Sequence, residues 1–237
     1  KFEEIFLDKY SPHILRQQEF VLEDIDPEEL FQLFVHSKHN SGGLDGWMPE
    51  DLTLISKKAT IYIAAMLNNI EKGEMNLPTP VLTARAAFMA KDPTKLEDPL
   101  KYRVLTVLPV VYRKWASLRN KSLEAWTDSW QEEELFTVKG GAQAAWWTTA
   151  LKLEGLHMKN VSVTGGSADL TKAFDEIKRT LLYKLLRLAG FPERGITAYI
   201  TVQECLIVYN AVGEGLGLPY HRPCSIPQGC PRSMNFR

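Results

Sequence analysis

Asp169, taken by itself, reads either as a turn or cap residue or as a metal-binding carboxylate. It stands just past a short alternating run, Asn160–Thr164, and ahead of Asp175. A carboxylate at a strand end projects into a cleft and can hold Mg²⁺, because a hard cation takes oxygen ligands at fixed positions. Asp175 directly precedes an amphipathic run, so it reads as a helix N-cap rather than a second ligand. The second feature is electrostatic. Residues 85–121 carry nine bases (Arg85, Lys91, Lys95, Lys101, Arg103, Arg113, Lys114, Arg119, Lys121) against three acids (Asp92, Glu97, Asp98). A basic block in a chain of net charge −1 is either a local polyanion site or a solvated helix face. His221 with Cys205, Cys224 and Cys230 lacks the paired Cys-x2-Cys spacing of a zinc site. Taken alone, Gln228-Gly229 is a turn.

The 237 residues are 45% hydrophobic and 24% charged, which fits one large globular domain or two small ones and excludes disordered and collagen-like chains. No apolar run approaches the ~18 residues of a membrane span. The charged start Lys1-Phe2-Glu3-Glu4 carries no visible signal peptide. An odd cysteine count argues for a reducing compartment. Residues 1–30 hold nine acids against three bases, and residues 1–25 read as an acidic N-terminal extension.

The elements that would position these residues follow from periodicity and caps. Asp26-Pro27-Glu28-Glu29 starts a helix, with a capping Asp, Pro in the first turn and acids at the positive dipole end. Ser41–Gly46 is a glycine-rich loop. A helix is expected from Pro49 to about Lys72, stopped by Gly73. Ala84–Ala90 reads as a strand, Arg103–Val107 as its return, and a helix follows Pro109. Ala142–Leu156 is helical, and Asn160–Thr164 alternates as a strand does. Asp175–Ala189 is expected as a helix with an apolar face of leucines, capped by Gly190 and ended by Pro192. Leu206–Pro223 reads as a β-hairpin that feeds Ile226-Pro227-Gln228-Gly229-Cys230-Pro231.

Ser167-Ala168-Asp169-Leu170-Thr171-Lys172-Ala173-Phe174-Asp175-Glu176-Ile177, then Leu181, Leu185, Gly190 and Pro192, resembles the first palm motif of reverse transcriptases, especially those of non-LTR retrotransposons and group II introns. Further blocks match in order. Ser41–Gly46 with Pro49-Glu50 resembles the first fingers block. Lys91-Asp92-Pro93-Thr94-Lys95 followed by Tyr102-Arg103-Val104-Leu105 resembles the fingers hairpin. Ile226–Ser233 resembles the Pro-Gln-Gly block, and Phe136–Gln143 is a weaker match to the fingers block between.

The resemblance implies an α+β fold, a right-hand polymerase's fingers (residues 26–159) and partial palm (160–237), with an antiparallel sheet packed on helices. It implies RNA-directed DNA polymerisation, with an RNA template, a DNA primer and dNTPs as partners and no membrane. Such transfer uses two Mg²⁺ ions about 4 Å apart to activate the attacking oxygen and neutralise the leaving pyrophosphate. Asp169 would be the first metal-binding carboxylate, with the Leu170 carbonyl as a backbone ligand. Lys91 and Arg103 would reach the triphosphate. Gln228 and Gly229 would lie beneath the templating pair, and Arg113, Lys114, Arg119 and Lys121 would track template phosphates. Phe174 lies where viral RNA polymerases place a carboxylate that accepts the ribose 2′-hydroxyl. An aromatic ring there crowds that hydroxyl and offers it no partner, which favours deoxynucleotides.

The sequence also departs from the family. It contains no Asp-Asp dipeptide, the second catalytic block of reverse transcriptases. The chain is therefore expected to stop short of that motif, to belong to a longer polyprotein and to be inactive by itself. A catalytically silent nucleic-acid-binding module with a polymerase fold is the alternative. Gly165-Gly166 interrupts the strand before Asp169, and Arg232 stands where an apolar residue is common, as a phosphate contact or the mark of a divergent copy. The expected location is intracellular, and nuclear for a eukaryotic retroelement.

Overall fold

Helix starts and stops fall where side chains can satisfy the backbone. The computed structural model describes residues 1–37, 39–92, 94, 96–98, 101–130, 141–166 and 173–232. Helix α1 (Phe2–Lys9) comes first. In α2 (Pro27–Val35), the Asp26 carboxylate accepts the Glu28 N–H at 3.0 Å, and Leu30 and Phe34, one turn apart, are buried. The helix expected from Pro49 to Lys72 is two pieces. Residues Pro49–Leu54 form 3-10 turns, and Ser56 then caps α3 (Lys57–Glu71) by accepting the Ala59 N–H at 3.2 Å. Gly73 ends it with φ +75°.

Strand β1 (Thr83–Ala90) pairs antiparallel with β2 (Tyr102–Val107), setting Arg85 opposite Val107 and Met89 opposite Arg103. Helix α4 (Val110–Ser122) follows, then α5 (Glu124–Trp130), α6 (Gly141–Met158), α7 (Arg179–Leu188) and α8 (Glu193–Cys205). The last strands among the described residues are β3 (Ile207–Val212) and β4 (Gly215–His221), which form a hairpin. Strand order is β2-β1-β3-β4, and β3 runs parallel to β1. The sheet is therefore mixed, not antiparallel as expected, because the two hairpins join through strands that run in the same direction. Ala84, Ala86, Thr106 and Val208 are buried on one face, in line with the alternation of a half-buried sheet. They belong to a core that includes Tyr112, Trp115 and Ala116 of α4 and Ala198, Tyr199 and Val202 of α8; Thr106 lies at its polar margin.

The chain divides into two compact units, residues 1–123 with 172–237, and residues 124–171. The expected boundaries after residues 25 and 159 are not the divisions of the fold. Residues 1–25 belong to the larger unit. The Glu3 carboxylate pairs with Lys184 at 2.5 Å, the Gln17 N–H donates to the Leu188 carbonyl at 3.0 Å, and the Asn68 amide engages both the N–H and the carbonyl of Ile25.

Two more expectations change. Helix α7 begins at Arg179, with Lys178 rather than Asp175 at its N-cap. The Phe174 and Ile177 carbonyls accept the Ile226 and Ser225 N–H groups, so this stretch pairs with a distant segment instead of coiling. In the smaller unit, Asn160–Thr164 is not a strand. Asn160 takes the left-handed conformation (φ 55°) and Val161 donates to the Leu156 carbonyl, which closes the end of α6. Among the described residues, no helix is long and apolar enough to cross a membrane.

Candidate functional site

Three blocks far apart in sequence meet at β2. The Thr106 N–H, on the free edge of β2, donates to the Gln228 carbonyl at 2.8 Å. Gly229 follows with φ +115°, and a Cβ on it would lie 2.7 Å from the Thr106 carbonyl oxygen, so this close passage requires glycine. Two residues earlier, the Ile226 N–H donates to the Phe174 carbonyl at 3.1 Å. Phe174, Gln228 and the return strand of the fingers-like hairpin are thus held together by backbone bonds, with Phe174 and Gln228 half-buried. The Ser41–Gly46 loop joins them from the other side. A Cβ on Gly43 would lie 2.8 Å from the Pro109 Cα, just beyond β2.

Lys91 and Arg103 lie at the loop end of this hairpin, away from the Thr106 end, and are exposed. The Lys91 N–H donates to the Lys101 carbonyl at 2.7 Å, and the Asp92 carboxylate holds Thr94 through its N–H at 2.9 Å and its hydroxyl at 2.6 Å. Those bonds keep the Asp92 carboxyl below its usual range. Alternation along β2 sets Arg103 on the opposite face from Thr106, the face it shares with Arg85 on β1. Arg85 is a cation the sequence reading left unassigned; only the β1–β2 register places it beside the glycine-rich loop, where its guanidinium donates to the Gly42 carbonyl at 3.5 Å.

Of the four basic residues of α4 expected to track template phosphates, one is buried, two are half-buried and one is exposed. Arg119 is a correction. Its side chain is 2% exposed and paired with Glu71, which is fully buried, through two short bonds of 2.6 and 2.8 Å, so no phosphate reaches it. Arg113 and Lys114 are half-buried and donate to the Ser41 and Leu33 carbonyls at 2.5 and 3.2 Å; burial lowers the pKa of both. Burial raises the carboxyl of Asp45, which lies beside Arg113 and the Val110 N–H. Lys121 is exposed, 3.7 Å from Glu29. Arg232 is the second correction. It is 1% exposed and its guanidinium lies 4.5 Å from the centre of the Trp115 ring, which excludes a phosphate contact.

Asp169 and Leu170 lie outside the described residues, as do Lys95 and residues 136–140 of the Phe136–Gln143 block. Among the described residues no group of three His, Cys, Asp or Glu side chains could hold a metal ion. Asp175 faces Arg222 at 3.6 Å. No family model matches this chain, and no curated protein is significantly similar to it.

Proposed function

We propose that this chain is the fingers and partial palm of an RNA-directed DNA polymerase, which adds dNTPs to a DNA primer on an RNA template. The observation that carries the reading is the meeting at Thr106, where the Gln228-Gly229 turn, the Phe174 segment and the fingers-like hairpin converge although more than 100 residues separate Thr106 from Gln228. A polymerase needs those three parts in one place. The hairpin presents Lys91 and Arg103 to a triphosphate, the Gln228 turn supports the nascent pair, and Phe174 crowds a ribose 2′-hydroxyl. Arg113, Lys114 and Arg119 are engaged in the fold, so contact with nucleic acid falls to Lys91, Arg103 and other exposed cations.

By the resemblance Asp169 is the first Mg²⁺ ligand. The 237 residues contain no Asp-Asp pair, the block that completes the site in reverse transcriptases. That absence favours a second reading for the chain by itself, a module that binds template and primer without extending them. Both readings predict binding of an RNA–DNA template-primer at low salt, weakening as salt rises. Primer extension with Mg²⁺ and dNTPs then separates them. Incorporation by this chain alone would remove the silent reading. Failure to bind template-primer at low salt would remove both.

A further inference from the structure

Arg222 is absent from every motif of the sequence, yet its side chain closes the ring of contacts around the candidate site. It leaves the end of β4 and is only 17% exposed. Its guanidinium donates to the Thr106 hydroxyl at 3.2 Å and lies 3.6 Å from the Asp175 carboxylate, next to Phe174. The backbone supplies the rest of the ring, with Thr106 bonded to Gln228 and Ile226 bonded to Phe174. Arg222 is itself fixed from behind. Its carbonyl accepts a bond of 2.8 Å from Arg179, whose guanidinium is 7% exposed and also bonds the Gln203 carbonyl and the Glu204 carboxylate.

We infer that Arg222 is a positioning residue that sets Phe174 against the Gln228 turn and so governs discrimination between deoxyribose and ribose. The inference rests on the polymerase reading. Phe174 belongs to a turn, not to a helix, and its carbonyl bond to Ile226 fixes its backbone while its side chain is half-buried. The bridge from Thr106 through Arg222 to Asp175 ties the next residue to β2. The guanidinium holds the Thr106 hydroxyl by a hydrogen bond and the Asp175 carboxylate by charge. Burial removes the water that would otherwise compete for it and holds its pKa below the usual arginine range. Selection against a single hydroxyl depends on a wall that does not yield, so loosening the wall erodes selectivity before it erodes overall affinity.

The test measures dissociation constants for dGTP and GTP, each with Mg²⁺ and template-primer, by equilibrium dialysis against this chain. The unaltered protein should favour dGTP by roughly tenfold or more. Arg222→Gln should narrow that ratio about fivefold, mainly by tighter GTP binding, while Arg222→Lys, which keeps the charge, should restore part of it. Asp175→Asn changes an exposed carboxylate, leaves folding intact and should narrow the ratio in the same way. If Arg222→Gln does not melt cooperatively, Asp175→Asn decides. An unchanged ratio in these variants, or equal weakening for both nucleotides, overturns the role of Arg222 and leaves the polymerase reading standing. Absence of any preference in the unaltered protein overturns the polymerase reading, and the role of Arg222 with it.

Discussion

Glu71 of α3 and Arg119 of α4 face one another side by side in the interior, their side chains 0% and 2% exposed, joined by bonds of 2.6 and 2.8 Å. The Trp115 indole N–H adds a third bond to Glu71 at 2.7 Å, and Arg119 reaches the Glu23 carbonyl at 2.9 Å. Two charges brought out of water are tolerated only while both are present and bonded. Arg194 lies 3.3 Å from the same carboxylate. Arg119→Met removes two of the hydrogen bonds to Glu71 and leaves Arg194 and the Trp115 indole as its partners, so it should cost about 3 kcal/mol of stability in urea unfolding. Adding Glu71→Leu should recover most of that loss, since it removes the carboxylate left short of donors. A loss below about 1 kcal/mol in the single variant would contradict this account of the pair.

Arg232 presents the opposite case, a buried cation with no carboxylate partner among the described residues. Its Nη1 donates to the Gly195 carbonyl at 3.1 Å, while Nε and Nη2 have no partner among the described residues. The Trp115 ring beneath it offsets part of that cost. Arg232→Met keeps the length and the contact with Trp115 but removes the unmet donors. It should raise stability by about 1–3 kcal/mol, seen as a higher denaturation midpoint at unchanged slope. A fall in the midpoint would mean that the guanidinium is better satisfied than this geometry indicates.

The contrast between these arginines marks where sequence reading stops. The stripe Val111, Trp115, Leu118, Ser122 correctly placed a helix after Pro109, and the strand-like runs flanking Lys91–Lys101 and the Gly213, Gly215, Gly217 turn correctly placed both hairpins, because those signals are local; the alternation of Asn160–Thr164 did not make a strand. Arg119 sits beside Leu118 and looks like a solvated cation until Glu71, 48 residues away, is known to face it. The parallel pairing of β1 with β3 has no local signal either. Asp175 carried the chemistry of an N-cap, but pairing of its neighbours with Ser225 and Ile226 overrode that propensity. The candidate site was readable as separate blocks; their meeting at Thr106, and the part played by Arg222, depend on tertiary contacts that no window of sequence contains.

Two glycines with positive φ separate backbone strain from packing. Gly73 has φ +75°, and a Cβ there would meet nothing within 4 Å. Gly190 has φ +72°, but its Cβ would collide with the Gln18 carbonyl oxygen of the irregular segment that passes the α7–α8 turn. Gly73→Ala should cost about 1–2 kcal/mol, the strain of the left-handed conformation alone. Gly190→Ala should cost at least twice as much and should loosen residues 14–25, read as faster amide exchange at Gln17 and Phe20. Equal costs at the two sites would show that the Gln18 crossing is not tightly held.

Asp24 gives the acid limb of stability a direction. Its carboxylate pairs with Lys72 at 2.7 Å and Arg194 at 2.8 Å, and these bonds, Lys72 first, lower its pKa below the usual 3.8. A carboxylate with a depressed folded pKa contributes stability that is fully present above its unfolded pKa and is lost as pH falls through the folded value. Asp24→Asn should therefore be less stable than the unaltered protein at neutral pH, and the gap should close as pH drops below about 4. Thermal melts across that range check the sign. A gap that is constant with pH would assign the effect to lost packing rather than to charge.

Exposure separates binding from folding at the fingers-like hairpin. Lys91 and Arg103 are exposed, so neither Lys91→Ala nor Arg103→Ala should shift stability by more than about 0.5 kcal/mol. If they hold a triphosphate, each charged hydrogen bond lost should weaken dNTP binding by roughly tenfold. Arg119→Met should do the reverse, with a large cost to folding and, in the fraction that remains folded, unchanged nucleotide affinity. The crossed pattern matters more than either number. A general loss of positive charge would weaken binding in all three variants alike, whereas a site built on the hairpin responds only to Lys91 and Arg103. Unchanged nucleotide affinity in both hairpin variants would take the triphosphate away from β1 and β2.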